Sequence, residues 1–210
     1  MRHRKNMRFL LALLITLSLI SPVGPLRAEE PGPSDQLKPT LDQLIAIIED
    51  DALKGQSNKT ERRSKIMAMI STGFDFREMS RRVLGRTWND ISDEQKDYFV
   101  KQMTKLLENV YVGKLETYTG QTVEFVDERI KGKRAQVTTL IEDQGVKLPV
   151  HYIMQKETDK WMVYDINIEG VSLIRNYMEQ FRSILRTEKY QGLIKIIEDK
   201  NKSFLENGTG

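Results

Sequence analysis

The spacing of apolar residues changes twice along the chain. Between residues 36 and 118 apolar side chains recur every three or four positions, which predicts helices. From Thr122 to Ile168 apolar and polar residues alternate, which predicts strands. Beyond Gly170 the helical spacing returns. The pattern therefore predicts an α+β fold in which helices come first, strands follow, and helices end the chain.

Capping residues divide the first helical segment. A first helix is predicted over 37–48, with Pro39 in its first turn, where a proline sacrifices no hydrogen bond. Second and third helices are predicted over 58–71 and 75–85, each starting at a side chain that can cap it. Glycine follows the third helix and can end it.

The fourth helix has the clearest boundaries. Ser92 and Gln95 form the pattern of a capping box, and apolar residues follow at helical spacing as far as about Tyr118. Gly120 then ends the helix. A last helix is predicted from about Gln191.

Four strands follow the fourth helix. They are predicted over 122–129, 134–142 and 146–156, and from Trp161 onward. Tight turns join them, so we expect an antiparallel four-stranded meander with helices packed on one side.

The fourth strand leads directly into a helix at Glu169-Gly170, and Gly170 can adopt backbone angles closed to its neighbours. A strict alternation gives this strand apolar side chains on both faces. One face is predicted to carry Trp161, Val163 and Asp165, and the other Met162, Tyr164, Ile166 and Ile168. We therefore expect neither face to be fully solvated.

The N-terminus resembles a secretory signal peptide. A basic segment precedes an apolar run over 9–20, and Ala28 stands before two acids. The apolar run is short for a membrane span, although an uncleaved anchor is the alternative. The predicted organisation is a signal peptide over 1–28, a flexible leader over 29–35, one domain over 36–204 and a disordered tail over 205–210.

Cleavage after Ala28 would remove five basic residues and no acid. The mature chain would keep 28 basic and 30 acidic residues, a net charge of −2. This balance argues against a nucleic-acid partner. The chain also lacks cysteine, which excludes disulfides and cysteine-bound zinc.

Few residues suggest catalysis. His151 is the only histidine after the signal peptide, and no nucleophile-elbow motif accompanies it. Asp165 lies in an apolar strand and could act as the base of a small isomerase-like enzyme. In the alternative interpretation Asp165 pairs with an arginine and Glu169 accepts hydrogen bonds around the Gly170 turn. We expect no catalytic residue, metal or cofactor.

Several segments together resemble the MlaC family. They are Phe74-Asp-Phe with Arg82-Val-Leu-Gly85, Trp88, Ser92-x-Glu-Gln95, Tyr118-Thr-Gly-Gln121, Trp161-x-x-Tyr-Asp-Ile166, Glu169-Gly-Val-Ser-Leu-Ile174 and Gly192-Leu-Ile194. The resemblance extends over about residues 36–200, and its most specific part is the Glu-Gly-Val-Ser segment after the Tyr-Asp strand.

The resemblance implies a periplasmic phospholipid-binding protein of a system that maintains outer-membrane lipid asymmetry. Such a protein carries phospholipid between an outer-membrane lipoprotein complex and an inner-membrane ABC transporter with an MCE-domain component. The resemblance implies no catalytic residue. A related branch is associated with hopanoid lipids, which remain an alternative ligand.

The resemblance also implies an apolar cavity of lipid size between sheet and helices, and its predicted wall combines apolar residues of the sheet with those of the helices. The residues expected there are Phe99, Met103, Leu107, Val137, Val150, Tyr152, Met154, Ile174 and Met178. For each of them taken singly, the sequence favours ordinary core over a ligand wall. The sequence does not decide which sheet face points inward.

Overall fold

The computed structural model describes residues 30–116, 120–143 and 145–206. The predicted signal peptide and the last four residues of the predicted tail lie outside these ranges. The described part forms seven α-helices and five strands. The helices are α1 Pro33–Glu49, α2 Lys59–Gly73, α3 Phe76–Leu84, α4 Thr87–Asp90, α5 Asp93–Leu115, α6 Leu173–Thr187 and α7 Lys189–Glu206. The strands are β1 Thr122–Lys131, β2 Arg134–Asp143, β3 Val146–Glu157, β4 Lys160–Ile168 and β5 Val171–Ser172.

The strands form one sheet in the order β1-β2-β3-β4-β5, and every neighbouring pair is antiparallel. The α+β class and the meander are confirmed, but the sheet has five strands instead of four. The added strand β5 pairs with the end of β4 through a two-residue turn at Glu169 and Gly170, whose φ angles are 52° and 83°. Two positive φ angles match the right-handed twist of a hairpin.

A bulge in β4 corrects the predicted alternation of its side chains. Ile153 pairs with Asp165 but Met154 pairs with Val163, so Tyr164 is an extra residue in the strand. The bulge puts Val163 and Ile166 on the same face. Tyr164 instead packs against helices in a different cluster. Strand β4 therefore carries apolar residues at both odd-numbered and even-numbered positions, because the bulge changes which of the two sets lies on a given face of the sheet.

Helix α1 begins earlier than predicted. Pro33 lies in its first turn, so residues 33–35 of the predicted flexible leader are helical. Glu128 of β1 accepts a hydrogen bond of 2.7 Å from the backbone N–H of Ser34, which fixes this end of the helix on the sheet. Pro39 consequently lies inside the helix instead of in its first turn, and its side chain is exposed.

The start of α5 is confirmed. The Ser92 hydroxyl accepts a hydrogen bond from the Gln95 N–H, and the Gln95 side chain accepts one from the Ser92 N–H. Helix α7 packs beside α5 through a buried polar contact. The Asn109 amide donates to Asn201 over 3.1 Å, and Asn201 donates to the carbonyl oxygen of Gln102 over 3.0 Å. These bonds define how the two helices align.

The buried apolar side chains form three clusters. One joins α3, α5, α6 and α7 with Tyr164 of β4. A second joins α1 and Phe74 to the inner face of β2, β3 and β4. A third joins α1, α2 and α5. Helix α5 contributes to the first and third clusters and α1 to the second and third, and space remains where the clusters meet.

Candidate functional site

An apolar cavity of about 400 Å³ lies where the three clusters meet. Helices α1, α2, α3, α5 and α6 and strands β3, β4 and β5 contribute to its wall. Met79 comes from the first cluster, Leu41 from the second and Leu44 from the third. The cavity therefore depends on residues from all three clusters.

The wall is apolar except at a few positions. Glu108 and Lys114 on α5 are its charged members, and Asn176 on α6 is an uncharged polar one. Glu108 pairs with Lys105 over 3.0 Å, and the Lys114 ammonium lies 5.5 Å from the centre of the Tyr111 ring. An apolar space with polar groups at few places suits a ligand that is mainly hydrocarbon.

Exposed apolar residues mark the β4–β5 end of the cavity. Ile168 and Val171 line the cavity and are 41% and 60% exposed. They pair across the hairpin and so lie on the same side of the sheet. Solvent therefore reaches the cavity wall at this end.

Two of the nine predicted wall residues, Leu107 and Tyr152, line the cavity. Burial raises the pKa of the Tyr152 phenol. The other seven lie elsewhere. Phe99, Met103 and Ile174 are in the core between helices, Val137, Val150 and Met154 are in the core between α1 and the sheet, and Met178 is half-buried on α6.

The prediction missed most of the apolar wall. The aliphatic, methionine and phenylalanine side chains that line the cavity and were not predicted are those of Leu41, Leu44, Met67, Ile70, Phe74, Phe76, Met79, Val112, Leu115, Ile166, Ile168, Val171 and Leu173. Their helical or strand spacing marks them as inward-facing. The sequence contains no signal that separates inward residues facing a neighbour from those facing a space.

The Asp165 carboxylate makes hydrogen bonds that hold the fold together. It accepts one hydrogen bond from the Ser172 hydroxyl over 2.6 Å and another from the Ile174 N–H over 3.0 Å. The predicted arginine partner is wrong, because the hydroxyl and the amide take its place. Ser172 also caps α6 by accepting from the Arg175 N–H. Asp165 therefore fixes the point at which β5 becomes α6.

His151 lies on the opposite sheet face from Val150 and Tyr152, away from the cavity. Its Nδ1 is 3.0 Å from the Thr138 hydroxyl and 3.4 Å from the Gln136 amide. No cluster of three metal-ligating side chains occurs in the ranges that the structure describes. Within the same ranges, no helix is both long enough and apolar enough to cross a bilayer.

Comparison with known proteins agrees with this architecture. The model of the MlaC protein family matches residues 38–199. The intermembrane phospholipid transport system binding protein MlaC of Haemophilus influenzae is 23% identical over 191 residues, which cover 88% of this chain and 86% of that protein.

The fold also matches a solved structure. It is the phospholipid-binding protein from Ralstonia solanacearum in complex with a phospholipid. The TM-score is 0.73 at 23% identity, over 85% of this chain and 99% of that one. The two chains therefore share their fold over nearly the whole of that neighbour.

Proposed function

Because the chain belongs to the MlaC family, we propose that it is a carrier that binds the acyl tails of a phospholipid in the cavity between sheet and helices. The apolar wall of that cavity is the observation that carries the proposal. The names of the two relatives, both phospholipid-binding, support the same ligand class. Asp165 is engaged at the β5–α6 junction, which argues against the isomerase-like alternative.

The energetic requirement for such a carrier is large. Two tails of about 16 carbons would cost roughly 25 kcal/mol to expose to water, at about 0.8 kcal/mol per methylene. A wall of apolar side chains replaces the bilayer interior, so transfer of the tails from bilayer to protein is close to neutral. Loading and release can then run in either direction, and partners set the net flow.

The size of the cavity constrains how the tails fit. A methylene group fills about the volume of one water molecule, roughly 30 Å³. A cavity of about 400 Å³ therefore accommodates most of one tail. We infer that the second tail requires the helices to move outward from the sheet.

The cellular part of the proposal rests on the family. We propose that the signal peptide over 1–28 directs the chain to the periplasm. There the carrier would shuttle lipid between an outer-membrane lipoprotein complex and an inner-membrane ABC transporter with an MCE-domain component. The balanced charge of the mature chain suits movement between two membranes without permanent adhesion to either.

The proposal is tested by the lipid that the purified mature protein retains. Organic extraction followed by mass spectrometry should recover phospholipid in a fixed ratio to protein. Recovery of a hopanoid in that ratio would keep the carrier but change its ligand class. If repeated preparations, also after incubation with phospholipid vesicles, contained no bound lipid, the carrier function would be refuted.

A further inference from the structure

A second hollow, of about 440 Å³, lies between α5, α6 and α7. It shares Tyr111 of α5 and Asn176 of α6 with the apolar cavity. These two side chains therefore lie at the boundary between the two spaces. We propose that this hollow is a headgroup subsite that receives the phosphate of a phospholipid whose tails occupy the cavity. The inference rests on the proposed carrier function.

The composition of the hollow fits an anionic ligand. Lys200 of α7 contributes an ammonium group, and Asn176, Gln180 and Ser203 contribute uncharged polar groups. No carboxylate occurs among the described residues that line it. An ammonium group with amide and hydroxyl donors around it is a suitable environment for phosphate oxygens.

A nearby groove provides the contrast. It also lies between α5 and α7, at the other end of α5, and it contains the three carboxylates Glu94, Glu198 and Asp199 beside Lys195. Phosphate would be repelled there. The distribution of charge along α7 therefore distinguishes the two hollows and favours only the one next to the cavity.

The boundary also carries phenol groups. Tyr111 lines both spaces, and Tyr177 lines the hollow. Burial is the main cause that raises the pKa of both phenols. Each phenol therefore keeps its proton and can donate a hydrogen bond to an anionic oxygen.

Neighbouring contacts hold the polar groups in place. The Gln180 amide donates to Asn176 over 3.1 Å, one turn earlier on α6. Lys200 precedes Asn201, whose buried hydrogen bonds to α5 fix the position of α7. A phosphate in the hollow would thus meet side chains of α6 and of α7, and the position of α7 against α5 is set by these bonds.

The test compares two lipids that differ in the phosphate. The mature protein is equilibrated with vesicles containing phosphatidylglycerol and diacylglycerol with identical tails, and the bound lipids are quantified by mass spectrometry. We expect Lys200→Gln to lower the ratio of bound phosphatidylglycerol to bound diacylglycerol about three- to fivefold, the effect of one partly exposed charge contact. Lys195→Gln removes a cation from the same helix and should leave the ratio unchanged.

The outcomes separate the two proposals. If the wild-type protein bound neither lipid, the carrier function itself would fail. If it bound both and Lys200→Gln kept the wild-type ratio, the headgroup subsite would fail while the carrier function stood. In a third arm inorganic phosphate is titrated into lipid-free protein. Binding that matched the phospholipid in strength and depended on Lys200 would assign the hollow to free phosphate and overturn the headgroup assignment.

Discussion

A charge placed at the exposed end of the cavity should weaken lipid binding without unfolding the protein. Ile168 lines the cavity but is 41% exposed, so an aspartate there can reach water while the cavity is empty. When tails occupy the cavity, the carboxylate must either lose water or keep nearby methylenes hydrated. Two or three hydrated methylenes cost about 2 kcal/mol, at about 0.8 kcal/mol each. This corresponds to a loss of roughly thirtyfold in affinity.

Ile130→Asp is the matched control. Ile130 is also a strand isoleucine and is 54% exposed, but it lies on β1 outside the cavity wall. The two variants therefore share the intrinsic cost of aspartate in a strand. Urea unfolding should give each a similar small change in stability, and Ile168→Asp alone should lose lipid in competition with vesicles.

The reasoning would be refuted by either of two results. Ile168→Asp could retain lipid with wild-type affinity, which would place the tails away from this wall. Alternatively, Ile130→Asp could lose as much lipid as Ile168→Asp, which would attribute the loss to a general disturbance of the sheet. Both outcomes are read from the same lipid-to-protein ratios.

Two further predictions concern charged groups that hold the fold. Asp165→Ala should lower the free energy of unfolding by about 2–4 kcal/mol, because it leaves a backbone N–H and a hydroxyl at the β5–α6 junction without their acceptor. Asp165→Asn keeps an acceptor and should lower the free energy of unfolding by less. Equal urea midpoints for the wild type and both variants would contradict the structural role of Asp165. Burial alone would raise the pKa of Glu78, but hydrogen bonds and charges from Arg81 and Arg82 lower it below its ordinary value of 4.5. Its stabilising contribution is therefore complete above about pH 4.5 and is lost as the pH falls through the lowered pKa. Glu78→Gln should be less stable than the wild type by about 2 kcal/mol at pH 7. On acidification the variant should lose less stability than the wild type, as measured by urea unfolding at several pH values. Parallel pH profiles of the two proteins would contradict the role of Glu78.

Local signals accounted for most of the fold. The Ser92 capping box predicted the start of α5, and the Asp75 side chain caps α3 as expected by accepting from the Glu78 N–H. The turns that join β1 to β4 also have short-range signatures. The bulge at Tyr164 has no such signature, because it depends on how β4 pairs with a strand already formed.

The cavity was much harder to predict than the elements around it. Periodicity identified Phe99 and Leu107 equally well as inward-facing residues of α5. Phe99 is completely buried among other helices, whereas Leu107 meets the open space. The difference depends on what lies opposite each side chain, and the opposite partners come from α1, α2 and β4, far away in the sequence. No local pattern in a single sequence indicates which of these distant residues lies opposite a given side chain.

The division of the core into clusters also makes the two tryptophans useful reporters. Trp88 lies in the cluster between helices, with the Arg77 guanidinium 5.4 Å and the Lys96 ammonium 5.9 Å from its ring. Trp161 lies in the cluster between α1 and the sheet. Replacing either one by phenylalanine leaves an emission signal from a single cluster. The two signals then reveal whether the halves that enclose the cavity unfold together or one after the other.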